Sequence, residues 1–222
     1  MKKTMGLFLT TLIIIGCSTA QPAASIQENK KFISAMESNI KMLDTASIAA
    51  TYTLLANNFE RIGNAEIKYW QPWYYAALCY GLMAVNTADK SMIDPLAAKA
   101  EEFIAKATAL SNHNSEISAL QGMITNTKIL VDPISRWQTF GAEAAAFLTA
   151  AKEQNPLNPR PYLIEARTKL FTPAAMGGGP EAARPIIEKA LENFTNYKAE
   201  NSIAPMWGLA STQKLQARIN GK

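Results

Sequence analysis

A small–large–small triplet, Ala-x3-apolar-x2-Ala, constrains this chain more than any other feature. It occurs as Ala100/Ile104/Ala107, Ala144/Leu148/Ala151 and Ala183/Ile187/Ala190, with a degenerate copy at Leu55/Phe59/Ile62. The copies start 45, 44 and 39 residues apart (55→100, 100→144, 144→183). Positions i, i+4 and i+7 share one face of an α-helix. Alanines at the two ends let a neighbouring helix approach closely, and the large residue fills the space between. One such helix cannot bury its face alone, so recurrence requires a stack of helical units.

A second pattern runs in step with the first. Trp73/Ala76/Ala77/Tyr80 is its clearest copy; Ile117/Leu120/Gln121/Ile124, Tyr162/Glu165/Ala166/Lys169 and Trp207/Ala210/Ser211/Lys214 follow at 44, 45 and 45 residues. Together the two patterns resemble the A and B helices of the tetratricopeptide repeat (TPR) family, in which Trp-x2-Leu-Gly-x2-Tyr precedes Ala-x3-Phe-x2-Ala. Pro156, five residues after Ala151, stands where that family closes a unit with proline. The B-to-A spacing, 17 or 18 residues (100→117, 55→73 and 144→162), matches the family. The A-to-B spacing is longer, 27 residues twice and then 21 (73→100, 117→144, 162→183). The period is therefore nearer 45 than the family's 34 or so. The resemblance covers about residues 50–215 and implies an all-α, TPR-like superhelix of about four hairpins with a C-terminal capping helix.

Two segments are similar to TPR-like exported proteins of the Bacteroidetes type. One runs from Phe59 through Glu66 into Trp70–Ala77. The other runs from Thr172 through Gly177-Gly178-Gly179-Pro180 into Ile187–Ala190. The glycine loop also resembles TPR lipoproteins associated with TRAP-type transporters.

Caps and breakers predict helices over 26–43, 46–66, 71–86, 94–110, 115–130, 133–153, 160–171, 180–196 and 204–219. Asp94-Pro95 and Asp132-Pro133 each read as an N-cap acceptor followed by proline at the first helical position. No long linker or shift in composition divides the chain, so 26–222 reads as one domain. Hydrophobic residues make up 48% and charged residues 18%, which excludes a disordered polyampholyte. Two cysteines exclude a disulfide scaffold.

The first residues read as an address. Met1-Lys2-Lys3 is a basic start, and Leu7–Ile15 is an apolar run too short to span a bilayer. Ile14-Ile15-Gly16-Cys17 fits a lipobox, with 1–16 removed, Cys17 lipidated and 17–25 a tether. Ser18-Thr19-Ala20 also fits ordinary cleavage after residue 20. Either route exports the chain from a bacterial cytoplasm, to a membrane anchor in the first case and to a soluble periplasmic or secreted form in the second. The formal charge of +4 falls to +2 once Lys2 and Lys3 leave. Cys79 then has no intrachain partner and reads as a small core residue.

No catalytic signature appears. There is no Gly-x-Ser-x-Gly elbow, Cys-x2-Cys or His-Glu-x2-His, and the carboxylates are scattered along helices. His113, the only histidine, reads as an exposed linker residue in Ser111-Asn112-His113-Asn114. With no basic stripe, nucleic acid is excluded as a partner. Asp44-Thr45-Ala46 resembles a short Bacteroidetes O-glycosylation site and equally reads as a helix–helix turn.

The reading is a non-catalytic scaffold of the cell envelope, without cofactor or metal, holding a protein or peptide. The TPR mapping places Tyr74, Arg160 and Arg167 on the concave face, where two arginines could clamp a carboxylate. Gly177, Gly178 and Gly179 would shape one rim, as a tight crossing or as an anion-holding helix N-terminus. The alternative is a small-molecule-binding accessory component of an envelope transport system. No oligomeric state is assigned.

Overall fold

The computed structural model describes residues 30–221; the export signal, Cys17 and the tether lie outside the described residues. All regular structure among the described residues is helical: α1 Lys30–Asp44, α2 Ala49–Ala65, α3 Gln71–Asn86, α4 Ile93–Leu110, α5 Ser115–Ile129, α6 Pro133–Gln154, α7 Pro159–Phe171, α8 Pro180–Asn196 and α9 Leu209–Ile219. No helix among them is long and apolar enough to cross a membrane.

The helices pack as successive pairs, α3 on α4, α5 on α6 and α7 on α8, while α3, α5 and α7 touch one another as an inner row. The alanine triplets are the contact faces. Ala100, Ala107, Ala144, Ala151, Ala183 and Ala190 are all buried, as are Ile104, Leu148 and Ile187 between them. The degenerate copy buries Leu55 and Phe59 in the same way.

Helices α3 and α5 are buried on nearly every side; α3 is apolar around most of its circumference, whereas α5 buries Ser115, Glu116, Ser118, Thr125 and Thr127 as well as its apolar residues. Aromatic rings fill the space around α3. Phe32 stacks on Tyr69 at 4.2 Å, Phe59 on Tyr75 at 5.2 Å, and Trp73 and Tyr80 both stack on Phe103. Cys79 is a buried free thiol in this core, and burial pushes its pKa up. Asp44-Thr45-Ala46 enters the turn between α1 and α2, with Thr45 exposed.

Asp132 caps α6, accepting from the Ser135 backbone N–H at 3.4 Å. Asp94 does not cap α4. A 3-10 turn at Lys90–Met92 precedes that helix, and Asp89 caps the turn by accepting from Ser91 N–H at 2.9 Å. Asp94 therefore falls inside α4 with its carboxylate free for Arg136, which donates to both oxygens at 2.7 and 2.8 Å and ties α4 to α6.

The C-terminus departs furthest from expectation. The last helix starts at Leu209 rather than 204, and Ala210, Ser211 and Lys214 are exposed instead of continuing the repeat. Pro205 has no N–H to give a helix and disfavours helical backbone at Ala204. Gly208, at φ +115°, then turns the chain into α9. Residues 197–208 form an irregular strap instead, with Ile203, Ala204 and Pro205 buried.

Candidate functional site

The strap lies across the inner row. Trp207 Nε1 donates to Tyr74 Oη at 2.8 Å, and Tyr75 Oη donates to the Ile203 carbonyl at 3.3 Å. Both tyrosines come from α3, whose polar hydroxyls would otherwise be stranded in the core. From α7, Arg160 Nη2 donates to the Pro205 carbonyl.

An ion pair sits beneath this crossing. Arg160 Nη1 donates to Glu116 Oε1 at 2.8 Å, and Tyr197 Oη donates to the same oxygen at 3.2 Å. The guanidinium lies 4.8 Å from the Tyr197 ring centroid and 5.6 Å from that of Trp207. Arg160 is 0% exposed. Burial raises the Glu116 pKa above the ordinary carboxylate value, against the opposing pull of Arg160. Burial and the Glu116 charge push the Tyr197 phenol up to about 12, so it stays a donor at neutral pH. Glu116 Oε2 and Arg160 Nε are buried and make no hydrogen bond.

One side of Glu116 opens onto a pocket of about 390 Å³, within the range of roughly 300–1,000 Å³ that small-molecule sites occupy. Three segments build it. The α4–α5 turn supplies Ser111, His113 and Asn114, the end of α6 supplies Gln154 and Asn155, and the strap supplies Tyr197, Lys198, Glu200 and Pro205. Trp70, just before α3, adds a second ring and meets Tyr74 edge-on at 5.5 Å. Asn114 fixes the turn: its side chain accepts from Glu116 and Ile117 N–H, and its Nδ2 donates to Ser111 Oγ at 3.1 Å. A shallower cleft of about 140 Å³ lies between α4 and α6, floored by α5 and edged by Glu101, Glu143 and Phe147. No group of three or more His, Cys, Asp or Glu side chains that could hold a metal ion occurs among the described residues.

The sequence mapping puts Tyr74 and Arg160 on an open concave face; in the structure both are fully buried beneath the strap. Arg167, on the same helix as Arg160, is exposed and makes no clamp with it. The glycine loop is built for a tight crossing. Gly178 and Gly179 donate their N–H groups to the Pro173 and Lys169 carbonyls at 3.2 and 2.8 Å, leaving neither for an anion. A Cβ on Gly178 would stand 2.3 Å from the Thr172 carbonyl oxygen. Gly177 and Gly179 hold φ of +78° and +95°.

His113 is exposed, as a linker residue would be, yet it stands in the pocket lining. The sequence hides this, because His113 and the strap residues facing it are more than eighty positions apart.

Among solved structures, the chain is similar to the HusA haemophore from Porphyromonas gingivalis. The two are 34% identical, the match covers 86% of this chain and 93% of that one, and the TM-score is 0.77. No protein-family model and no curated protein matches the chain.

Proposed function

The chain belongs to the family of the HusA haemophore, and on that premise we propose that it is an exported carrier of haem or a closely related porphyrin at the bacterial envelope. One conjunction carries the reading. A relative named for haem matches nearly the whole chain, and the larger pocket is faced by Trp70, Tyr197 and Lys198. Trp70 and Tyr197 bring aromatic surface to the lining, the Tyr197 ring also meeting the Arg160 guanidinium at 4.8 Å. The Lys198 ammonium, exposed at the pocket and without an ion pair among the described residues, suits carboxylate side chains.

This reading replaces a peptide scaffold as the leading one. The inner row that would receive a peptide is crossed by residues 197–208 of the same chain. An accessory role in envelope uptake follows, with Cys17 as the membrane anchor and without bond chemistry at the site. The TPR-like relationship remains a reading of the repeat spacing.

Titration of the full chain with haemin and with iron-free protoporphyrin tests the proposal. We expect saturable quenching of tryptophan fluorescence at one equivalent, weakened by Lys198→Glu. Quenching that never saturates, or that Lys198→Glu leaves unchanged, argues against this pocket as the site.

A further inference from the structure

We infer that the end of the helical stack opposite the pocket is a membrane-contact face, where Leu130, Ile134 and Trp137 enter the interfacial layer of a lipid bilayer and the pocket is left turned toward solvent. The inference goes beyond the carrier reading and holds whatever the pocket binds.

Successive helices reverse direction, so their turns alternate between two ends of the stack. The α2–α3, α4–α5 and α6–α7 turns carry Trp70, His113 and Asn155 and build the pocket. The α3–α4 and α5–α6 turns meet at the other end. There Lys90 Nζ donates to the Val131 carbonyl at 3.4 Å, and Arg136 ties the start of α6 to Asp94 at the start of α4. Asn126, near the end of α5, donates to Thr168, near the end of α7, at 3.2 Å, which puts the α7–α8 turn at that end as well. Thr53 Oγ1 donates to Met83 Sδ at 3.6 Å and brings the α1–α2 turn there too.

This end exposes large apolar side chains that the stack leaves uncovered. Ile134 is 94% exposed, and Leu130 and Trp137 stand exposed on the same turn. Met92 is exposed on the turn that Lys90 ties to Val131, and Ile48 and Phe171 extend the apolar edge to either side. At the pocket end, Ile67, Leu110 and Leu157 stand one to a turn, as scattered surface hydrophobics ordinarily do. A cluster confined to one end marks an interaction surface.

Three observations favour a lipid surface as its occupant. Lys128 pairs with Glu101 and Arg136 with Asp94, so the cluster presents little net field to steer a charged protein partner. Tryptophan among aliphatic side chains, with Lys90 exposed beside them, is a composition suited to the bilayer interface, where the indole sits at headgroup level and a lysine keeps its ammonium in water. The reach of the chain also fits. Helix α1 begins at the pocket end, since Phe32 stacks on Tyr69 of the α2–α3 turn at 4.2 Å. Residues 17–29 extend at most about 45 Å, whereas the length of α1 is about 22 Å. With Cys17 as the anchor, its lipid therefore reaches a bilayer on which the opposite end rests.

The test uses the chain from residue 21, the unlipidated form of the exported protein, with neutral phosphatidylcholine vesicles. We expect saturable binding that changes little as salt rises from about 0.1 to about 1 M, because charge does not drive it. Ile134→Ser should weaken binding by about tenfold. Ile134 is almost fully exposed, so this variant should keep the wild-type circular dichroism. Leu157→Ser, at the pocket end, should bind as wild type does. Brominated lipid should quench tryptophan fluorescence, and Trp137→Phe should lose most of that quenching. Absence of vesicle binding overturns the inference, as does equal weakening by Ile134→Ser and Leu157→Ser, collapse of binding in high salt, or quenching that survives Trp137→Phe. A wild type that dimerises, made monomeric by Ile134→Ser and indifferent to vesicles, would assign the face to a second copy of the chain instead. Porphyrin titration of the same variants reads the carrier proposal separately.

Discussion

Trp207 gives its indole N–H to the Tyr74 hydroxyl at 2.8 Å, joining the strap to α3 across 133 positions of sequence. The bond satisfies a phenol that is 0% exposed, so each partner's cost on removal includes the other's stranded polar group. Tyr74→Phe should cost about 1–2 kcal/mol. Trp207→Ala, which also removes the ring, should cost about 3 kcal/mol. In a double-mutant cycle through Trp207→Phe the pair should couple by about 1 kcal/mol, measured by urea denaturation. Trp207→Ala should also speed tryptic cleavage at the exposed Lys198 in the strap. Additive losses and unchanged cleavage would show that the strap is held elsewhere.

The Arg160–Glu116 pair predicts an asymmetry. Arg160→Met alone leaves a carboxylate buried without its cation and should cost about 3–5 kcal/mol. Adding Glu116→Gln should restore part of that loss, since a neutral amide is cheaper to bury than an anion. Denaturation midpoints of the single and double variants decide it, and a double variant weaker than Arg160→Met would contradict the account.

The same pair sets a pH dependence. Burial raises the folded-state pKa of Glu116 above the ordinary glutamate value of 4.5, so the folded state holds the proton more tightly than the unfolded state. Its contribution to stability is therefore greatest below 4.5 and declines as pH rises through the raised value. Glu116→Gln should remove that component. Stability profiles from pH 4 to 7 should consequently fall more steeply for wild type than for the variant.

The glycine loop predicts an order. Gly178→Ala forces a Cβ against the Thr172 and Lys169 carbonyls and should cost about 3 kcal/mol. Gly177→Ala meets open space and bears only the left-handed backbone penalty, about 1–2 kcal/mol. Thermal melts that reverse this order would mean the loop is not closed as described.

The helical stack was legible because small-residue spacing is a local signal with a global meaning. Each of the three alanine triplets lies fully buried, and eight predicted helices match within a few residues. The strap was not legible for the opposite reason. Trp207 falls in register with Trp73, Ile117 and Tyr162, and spacing alone cannot tell a repeat position from an indole that crosses to Tyr74. Pro205 was the signal against a helix beginning at 204. The pocket was hidden similarly, because its walls come from residues 70, 111–116, 154–155 and 197–205, which only the stack brings together. Asp94 misled through a motif, Asp-Pro, that fits a cap but here pairs with Arg136.

Helical arrays usually end freely, and such chains change length by gaining or losing a unit. This one is closed by a strap of fixed reach. Residues 197–208 leave α8 and must arrive at Tyr74 on α3, and twelve residues extend at most about 40 Å. An extra hairpin would add at least one helix spacing, about 8–10 Å, between the two ends. Trp207 would then have farther to reach to its partner, and the strap's wall of the pocket would move with it. The number of hairpins is thus coupled to the shape of the pocket.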